Sequence, residues 1–257
     1  MLELTPMMSA AKPEERRELY GAKLGDAFEI FTAQRTGSKH DGLATLVRRA
    51  TFGVLSMSTV ELEPRFCDRV AIFAQLRHHA SGLGVVVANA HLTVAHASNS
   101  HDIPMCRPTQ MAQVLRELGA RSADGALPFL CADMNSDHLE TEPPDGPYTA
   151  QDVSRPVHMA FEQGFASALH EARPESRPIS HTCSYAQDGC ADYVFFKNNR
   201  LASLVSCYLH PGEVPLDTAW SPTTGWGEGP HSMLSDHRPL VADFSLGPPR
   251  EQPPGGA

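Results

Sequence analysis

No Cys-x-x-Cys pair occurs among the six cysteines of this 257-residue chain, at positions 67, 106, 131, 183, 190 and 207. That removes the usual zinc-ribbon and thioredoxin-type patterns. His181, Cys183 and Cys190 match no common zinc spacing and lack a fourth ligand. No apolar run approaches the ~18 residues that a membrane-crossing helix needs. Residues 1–12 carry neither a basic n-region nor a continuous apolar stretch, so no signal peptide is expected. Reduced thiols and an intracellular, cytoplasmic or nuclear, location are expected. A basic excess is missing too: 21 Lys and Arg stand against 30 Asp and Glu, a net charge of −9. Tight non-specific nucleic-acid binding relies on Lys and Arg at phosphates, so the composition argues against it. A nucleic-acid substrate stays open, because a divalent cation can meet the phosphate on behalf of acidic residues.

What is present is an ordinary globular composition, 41% hydrophobic and 20% charged. There is no internal repeat and no interior linker. One domain over residues 1–246 is expected, followed by a Pro/Gly tail, 247–257, that is expected to be disordered. Residues 13–24 read as a helix, with Pro13 in its first turn and Gly25 as its stop. Residues 45–49, 52–62 and 70–76 read as strands, and 85–88 and 129–132 as buried strands. Met111, Val114, Leu115 and Leu118 share one face of an amphipathic helix over 108–118. A weaker helix is expected over 157–169, broken at Gly164, and strands over 193–196, 201–208 and 239–246. Strands often follow one another without an intervening helix, which excludes a simple doubly wound sheet. The expected fold is α/β, with two packed mixed β-sheets flanked by helices in a four-layer sandwich.

Polar residues gather at the ends of these strands: Asn89-Ala90-His91-Leu92, Asp133-Met134-Asn135-Ser136, Asp192-Tyr193, and Ser235-Asp236-His237-Arg238-Pro239-Leu240. Residues two apart at a strand end point to the same side, so Asp133 and Asn135 are aimed together. Taken singly, each group has an ordinary explanation. Asp133 and Asn135 make an Asx turn, His91 is a structural hydrogen bonder, Asp192 is a turn or cap residue, Arg107 and Gln110 are a solvated pair on one helix face, and His40-Asp41-Gly42 is a hairpin corner.

Together and in this order, these motifs resemble the endonuclease/exonuclease/phosphatase superfamily of metal-dependent phosphoesterases. The resemblance covers residues 20–246. Leu24-Gly25-Asp26, Arg35-Thr36-Gly37, Asp41-Gly42-Leu43-Ala44-Thr45 and Asp68-Arg69-Val70-Ala71 look most like its deadenylase/nocturnin-like branch. The resemblance implies a role for each position. Asp236 would contact Mg²⁺ (or Mn²⁺), His237 would bind the scissile phosphate, and Asp192 would hold the His237 tautomer. Asp133 would orient or deprotonate the attacking water, Asn135 would hydrogen-bond a phosphate oxygen, and His91 would contact the phosphate or assist the leaving group. The family also begins with a strand bearing a catalytic Asn and a second strand ending in Gln-Glu, whose Glu is the principal metal ligand. The sequence leaves no room for the first, so a fold lacking its first strand is expected. Glu3 is either the remnant of the metal-binding Glu or an ordinary terminal residue. The implied partner is a phosphate-ester substrate, RNA or DNA among them. The same motifs also fit a small-molecule or lipid phosphatase, or a binding protein that keeps the fold without turnover.

Overall fold

The computed structural model describes residues 21, 24–37, 41–93, 103–136, 150–174, 190–197, 199–209, 220–221, 225–226, 237 and 239–247. In chain order the elements are β1 (Phe28–Gln34), β2 (Gly42–Arg48), β3 (Phe52–Glu61), β4 (Val70–His78), β5 (Gly84–His91), α1 (Ile103–Arg121), β6 (Leu127–Asp133), α2 (Ala150–Glu162), β7 (Ala166–Ser167), α3 (Ala168–Ala172), β8 (Asp192–Phe196), β9 (Ala202–Leu209), β10 (Trp220–Ser221), β11 (Gly225–Trp226) and β12 (Leu240–Leu246). A 3₁₀ turn, Arg65–Cys67, lies between β3 and β4.

Among the described residues, six strands form one mixed sheet in the order β3-β4-β5-β6-β8-β7. Among these described strands β5 and β6 run parallel, joined through α1, and the other neighbouring pairs are antiparallel. The central strands read as unbroken apolar runs, Val85-Val86-Val87-Ala88 and Phe129-Leu130-Cys131-Ala132, because both of their faces are covered. Among the described residues β3 lies at one edge, partly exposed, with Leu55 turned out to solvent. Pro128 brings no N–H to β6, and the pairing with β8 starts one residue later, at Phe129.

The two faces of the sheet carry different layers. Helices cover the face bearing Phe73 and Phe195: the Arg121 guanidinium sits 4.5 Å over the Phe73 ring, and Phe161 of α2 meets Phe195 edge-on at 5.9 Å. The opposite face bears Asn89, Phe129 and Phe196. There Asn89 donates to the Ala44 carbonyl of β2 (3.0 Å), while Phe244 of β12 packs on Phe129 and Phe196, both at 4.9 Å. The antiparallel pairs β1-β2 and β12-β9 therefore make up the second β layer among the described residues. Phe73, Phe195 and Phe196 are almost fully buried, each worth roughly 1.5–3 kcal/mol by transfer.

Several elements differ from the sequence reading. β1 was not expected and forms a hairpin with β2. The 108–118 helix begins at Ile103, because Cys106 and Arg107 are buried against the core and tertiary packing holds the turn ahead of Pro108. The 157–169 helix stops at Glu162: Gly164 turns the chain at φ 78° and the Phe165 N–H bonds back to the Ala160 carbonyl, a left-handed helix end. Residues 166–172 then form β7 and α3. Gly21 and Leu24 are helical, and the Gly25 N–H closes on the Gly21 carbonyl. The rest of the 13–24 helix, Glu3, His40, His181, Cys183, Asp236 and the tail beyond Gly247 lie outside the described residues.

Candidate active site

Strand register brings the distant motifs together. In the parallel ladder His91 lies beside Asp133, and in the antiparallel ladder Asp133 lies opposite Asp192. The three side chains therefore emerge abreast from β5, β6 and β8 on the face turned toward the second β layer. His237, just ahead of β12, closes the row from that layer. Its Nδ1–H donates to Asp192 Oδ2 at 2.9 Å, and its Nε2 stands 3.9 Å from Asp133 Oδ2. His91 Nε2 is 3.2 Å from the same Asp133 oxygen. The four side chains keep 15–22% of their surface, so a ligand can reach them.

Asp133 divides its two oxygens. Oδ1 accepts the Asn135 N–H at 2.9 Å, an Asx turn, while Oδ2 faces the two histidines. The Asx-turn reading of this residue holds, and it leaves Oδ2 facing the histidines. Asn135 sits at φ 44°, a left-handed conformation that Asn tolerates better than most residues. Its Nδ2 donates to the Leu92 carbonyl at 2.9 Å, tying the turn after β6 to the turn after β5. An amide nitrogen carries a second hydrogen that a ligand oxygen can accept.

The helix pair Arg107 and Gln110 is buried rather than solvated. Arg107 Nη1 donates to the Asn135 carbonyl. Gln110 accepts the Thr93 N–H at 3.0 Å and donates to Thr93 Oγ1 at 2.8 Å. One face of α1 thus braces both turns from behind, which explains why these two polar residues lie three apart on a core-facing helix.

A small pocket opens beside this row, lined by Arg35, Gly42, Leu43, Arg69, Val70 and His91. Arg35 is held from three directions, by Asp41 Oδ2 at 2.9 Å and by the Asp68 and Cys67 carbonyls at 3.2 and 3.4 Å. Gly37, at φ 79°, leaves room for the Asp68 carboxylate, which a Cβ would strike at 2.4 Å. Arg69 is buried, and its Nε has no hydrogen-bond partner among the described residues. Burial, and then the like charge of Arg35, lower the Arg69 pKa to about 10 against the attraction of Asp133 and Asp41, so it stays charged at neutral pH. His91 is pushed down to about 4, chiefly by burial and against the pull of Asp133, so it is neutral there. Sequence reasoning gave no role to Arg35, Arg69 or Asn89. The available signal was an arginine directly ahead of a buried strand, in Asp68-Arg69-Val70-Ala71.

Ligand atoms of Asp133, Asp192 and His237 lie within 4.8 Å of one another, close enough to share one cation. Two carboxylates and an imidazole can ligate a divalent ion. The Asp192–His237 hydrogen bond already occupies one of these imidazole–carboxylate contacts, so ligation through the same two atoms would replace it.

No protein-family model and no curated protein sequence matches the chain. Solved structures do. The catalytic domain of human Nocturnin with bound sulfate superposes with a TM-score of 0.65 at 17% identity, covering 91% of this chain and 78% of that one. The chain has the endonuclease/exonuclease/phosphatase fold. A protein from Bacteroides vulgatus described by that name has a TM-score of 0.62 at 15% identity, covering 96% and 83%. TDP2 from D. rerio, complexed with a single-stranded DNA product, gives 0.61 at 14% identity, covering 95% and 84%. A Bacteroides thetaiotaomicron mannosyl-6-phosphatase gives 0.59 at 12% identity, covering 91% and 82%. In this endonuclease/exonuclease/phosphatase fold the chain's polar row lies where β5 and β6 end beside the start of β8. Among the described residues no helix is long and apolar enough to cross a membrane.

Proposed function

We propose that residues 1–246 form a divalent-metal-dependent phosphoesterase domain that hydrolyses phosphodiester bonds, as a nuclease or deadenylase-like exoribonuclease. The observation that carries this reading is the Asp192–His237 pair at 2.9 Å abutting Asp133, with two arginines beside His91. With its Nδ1–H given to Asp192, His237 turns Nε2 toward the site and stabilises charge on a phosphate oxygen. Asp133 Oδ2 orients the attacking water and takes its proton. Neutral His91 hydrogen-bonds the phosphate or the leaving oxygen, and the second N–H of Asn135 donates to a phosphate oxygen. Arg69, charged and with Nε unpaired among the described residues, draws the anionic substrate into the pocket. The site's carboxylates, with Asp236 and Glu3 as the ligands expected from the sequence, would hold Mg²⁺ or Mn²⁺. When bound, the ion supplies Lewis-acid polarisation of the phosphoryl group.

A second reading, a phosphatase acting on small phosphate esters, is favoured by the net charge of −9 and by the compact arginine-lined pocket. One assay separates the two: turnover of the purified chain with Mg²⁺ on poly(A), duplex DNA, sphingomyelin and inositol phosphates. Cleavage of a polynucleotide is the expected result. Hydrolysis of the inositol phosphates alone would select the second reading, and no turnover on any substrate would contradict both.

A further inference from the structure

Outside the site, two thiols meet. The Cys67 and Cys106 sulfurs are 3.1 Å apart, about 1 Å longer than a disulfide bond of ~2.05 Å. Cys67 is partly exposed in the turn between β3 and β4, whereas Cys106 is buried in α1. The turn is fixed on both sides. Gln113 of α1 accepts the Glu63 N–H and donates to the Glu61 carbonyl, both at 2.9 Å. From the other side Arg35 donates to the Cys67 and Asp68 carbonyls. Much of the entropy cost of bringing the two sulfurs together is therefore already met by the fold.

We propose that Cys67 and Cys106 form a reversible intramolecular disulfide, with a low-molecular-weight disulfide such as oxidised glutathione as the oxidant. The accessible Cys67 thiolate attacks one glutathione sulfur, forming a mixed disulfide and expelling one glutathione thiolate. Cys106 then loses its proton and attacks the Cys67 sulfur, expelling the second. Two protein thiols are oxidised to one S–S bond, one oxidised glutathione is reduced to two thiols, and the two protein protons pass to them. The bond ties the segment carrying Arg69 to the helix carrying Arg107, and so fixes one wall of the arginine pocket. This inference does not depend on the reaction the site performs. Cys131 and Cys207, both buried, serve as internal controls for thiols outside the 3.1 Å Cys67–Cys106 contact.

The test treats the native full chain with oxidised glutathione and reads intact mass and peptide maps. The wild type is expected to lose about 2 Da without keeping glutathione, to yield a Cys67–Cys106 linked peptide, and to revert with dithiothreitol. Cys106→Ser is expected to hold one glutathione on Cys67, and Cys67→Ser to show neither change at these positions. The wild-type map decides the question even if a variant fails to fold. A wild type that retains glutathione on Cys67, that links either cysteine elsewhere, or that does not react would overturn the proposal.

Discussion

Asp133 serves the fold with one oxygen and the site with the other, and two substitutions separate these uses. Asp133→Asn keeps an acceptor for the Asn135 N–H but cannot take a proton. Its stability is expected to stay within about 1 kcal/mol of wild type, while kcat falls roughly 10²–10⁴-fold. Asp133→Ala is expected to lose the activity and, in addition, about 1 kcal/mol of stability with the turn. Denaturant melts and turnover measured on both variants check this, and a fully active Asp133→Asn would remove Asp133 from proton transfer. Asn135 allows a second separation. Asn135→Gly relieves the left-handed backbone but deletes the amide, so the fold is expected to survive while turnover drops at least about tenfold.

At the scale of elements, α1 and the β1-β2 hairpin support the site from behind and from the side. Arg107→Met leaves the Asn135 carbonyl without its charged donor. The expected cost is about 2 kcal/mol, a fall of roughly 4–8 °C in Tm for a domain of this size, together with weaker turnover as the Asp133–Asn135 turn loosens. The hairpin is pinned by Arg35 and Asp41. Burial alone would raise the Asp41 pKa, but the hydrogen bond and charge of Arg35 outweigh it and hold the carboxyl below 3.8. The pair therefore stabilises the fold fully above that value and loses its contribution as pH falls further, through the lowered folded pKa. The stability gap between wild type and Asp41→Asn is expected to be constant above about pH 5 and to shrink in stronger acid. A gap unchanged in strong acid would exclude this ion pair as its source.

The same scale shows what could be read from the sequence. β5 and β6 were legible because both of their faces are buried and their apolar runs are continuous. β1 was not, since Phe28–Gln34 is mostly half-buried and, among the described residues, pairs with β2 alone. The break of α2 at Gly164 is legible from the glycine, whereas its start at Ala150, ahead of Pro156, is not, nor are β7 and α3 beyond the left-handed turn. His91, Asp133, Asn135, Asp192 and His237 could be named because each sits at a strand end with recognisable neighbours. Arg35, Arg69 and the buried side of the Arg107/Gln110 pair depend on packing between layers, which spacing along one strand or helix does not reveal.

For the whole molecule, the fold is shared with structures of 12–17% identity, so the chemistry must be tested on the side chains themselves. The central claim is that Asp192 and His237 work as one unit beside a divalent cation. The most direct measurement is kcat on the best polynucleotide substrate for wild type, Asp192→Asn, His237→Asn and the double variant, each with Mg²⁺ and after exhaustive chelation. Residues acting as a unit are non-additive. Each single variant is expected to lose about 10²–10⁴-fold, the double variant little more than either, and chelation to abolish wild-type turnover until Mg²⁺ or Mn²⁺ is restored. Turnover that survives chelation, or an Asp192→Asn variant as fast as wild type, would contradict the claim.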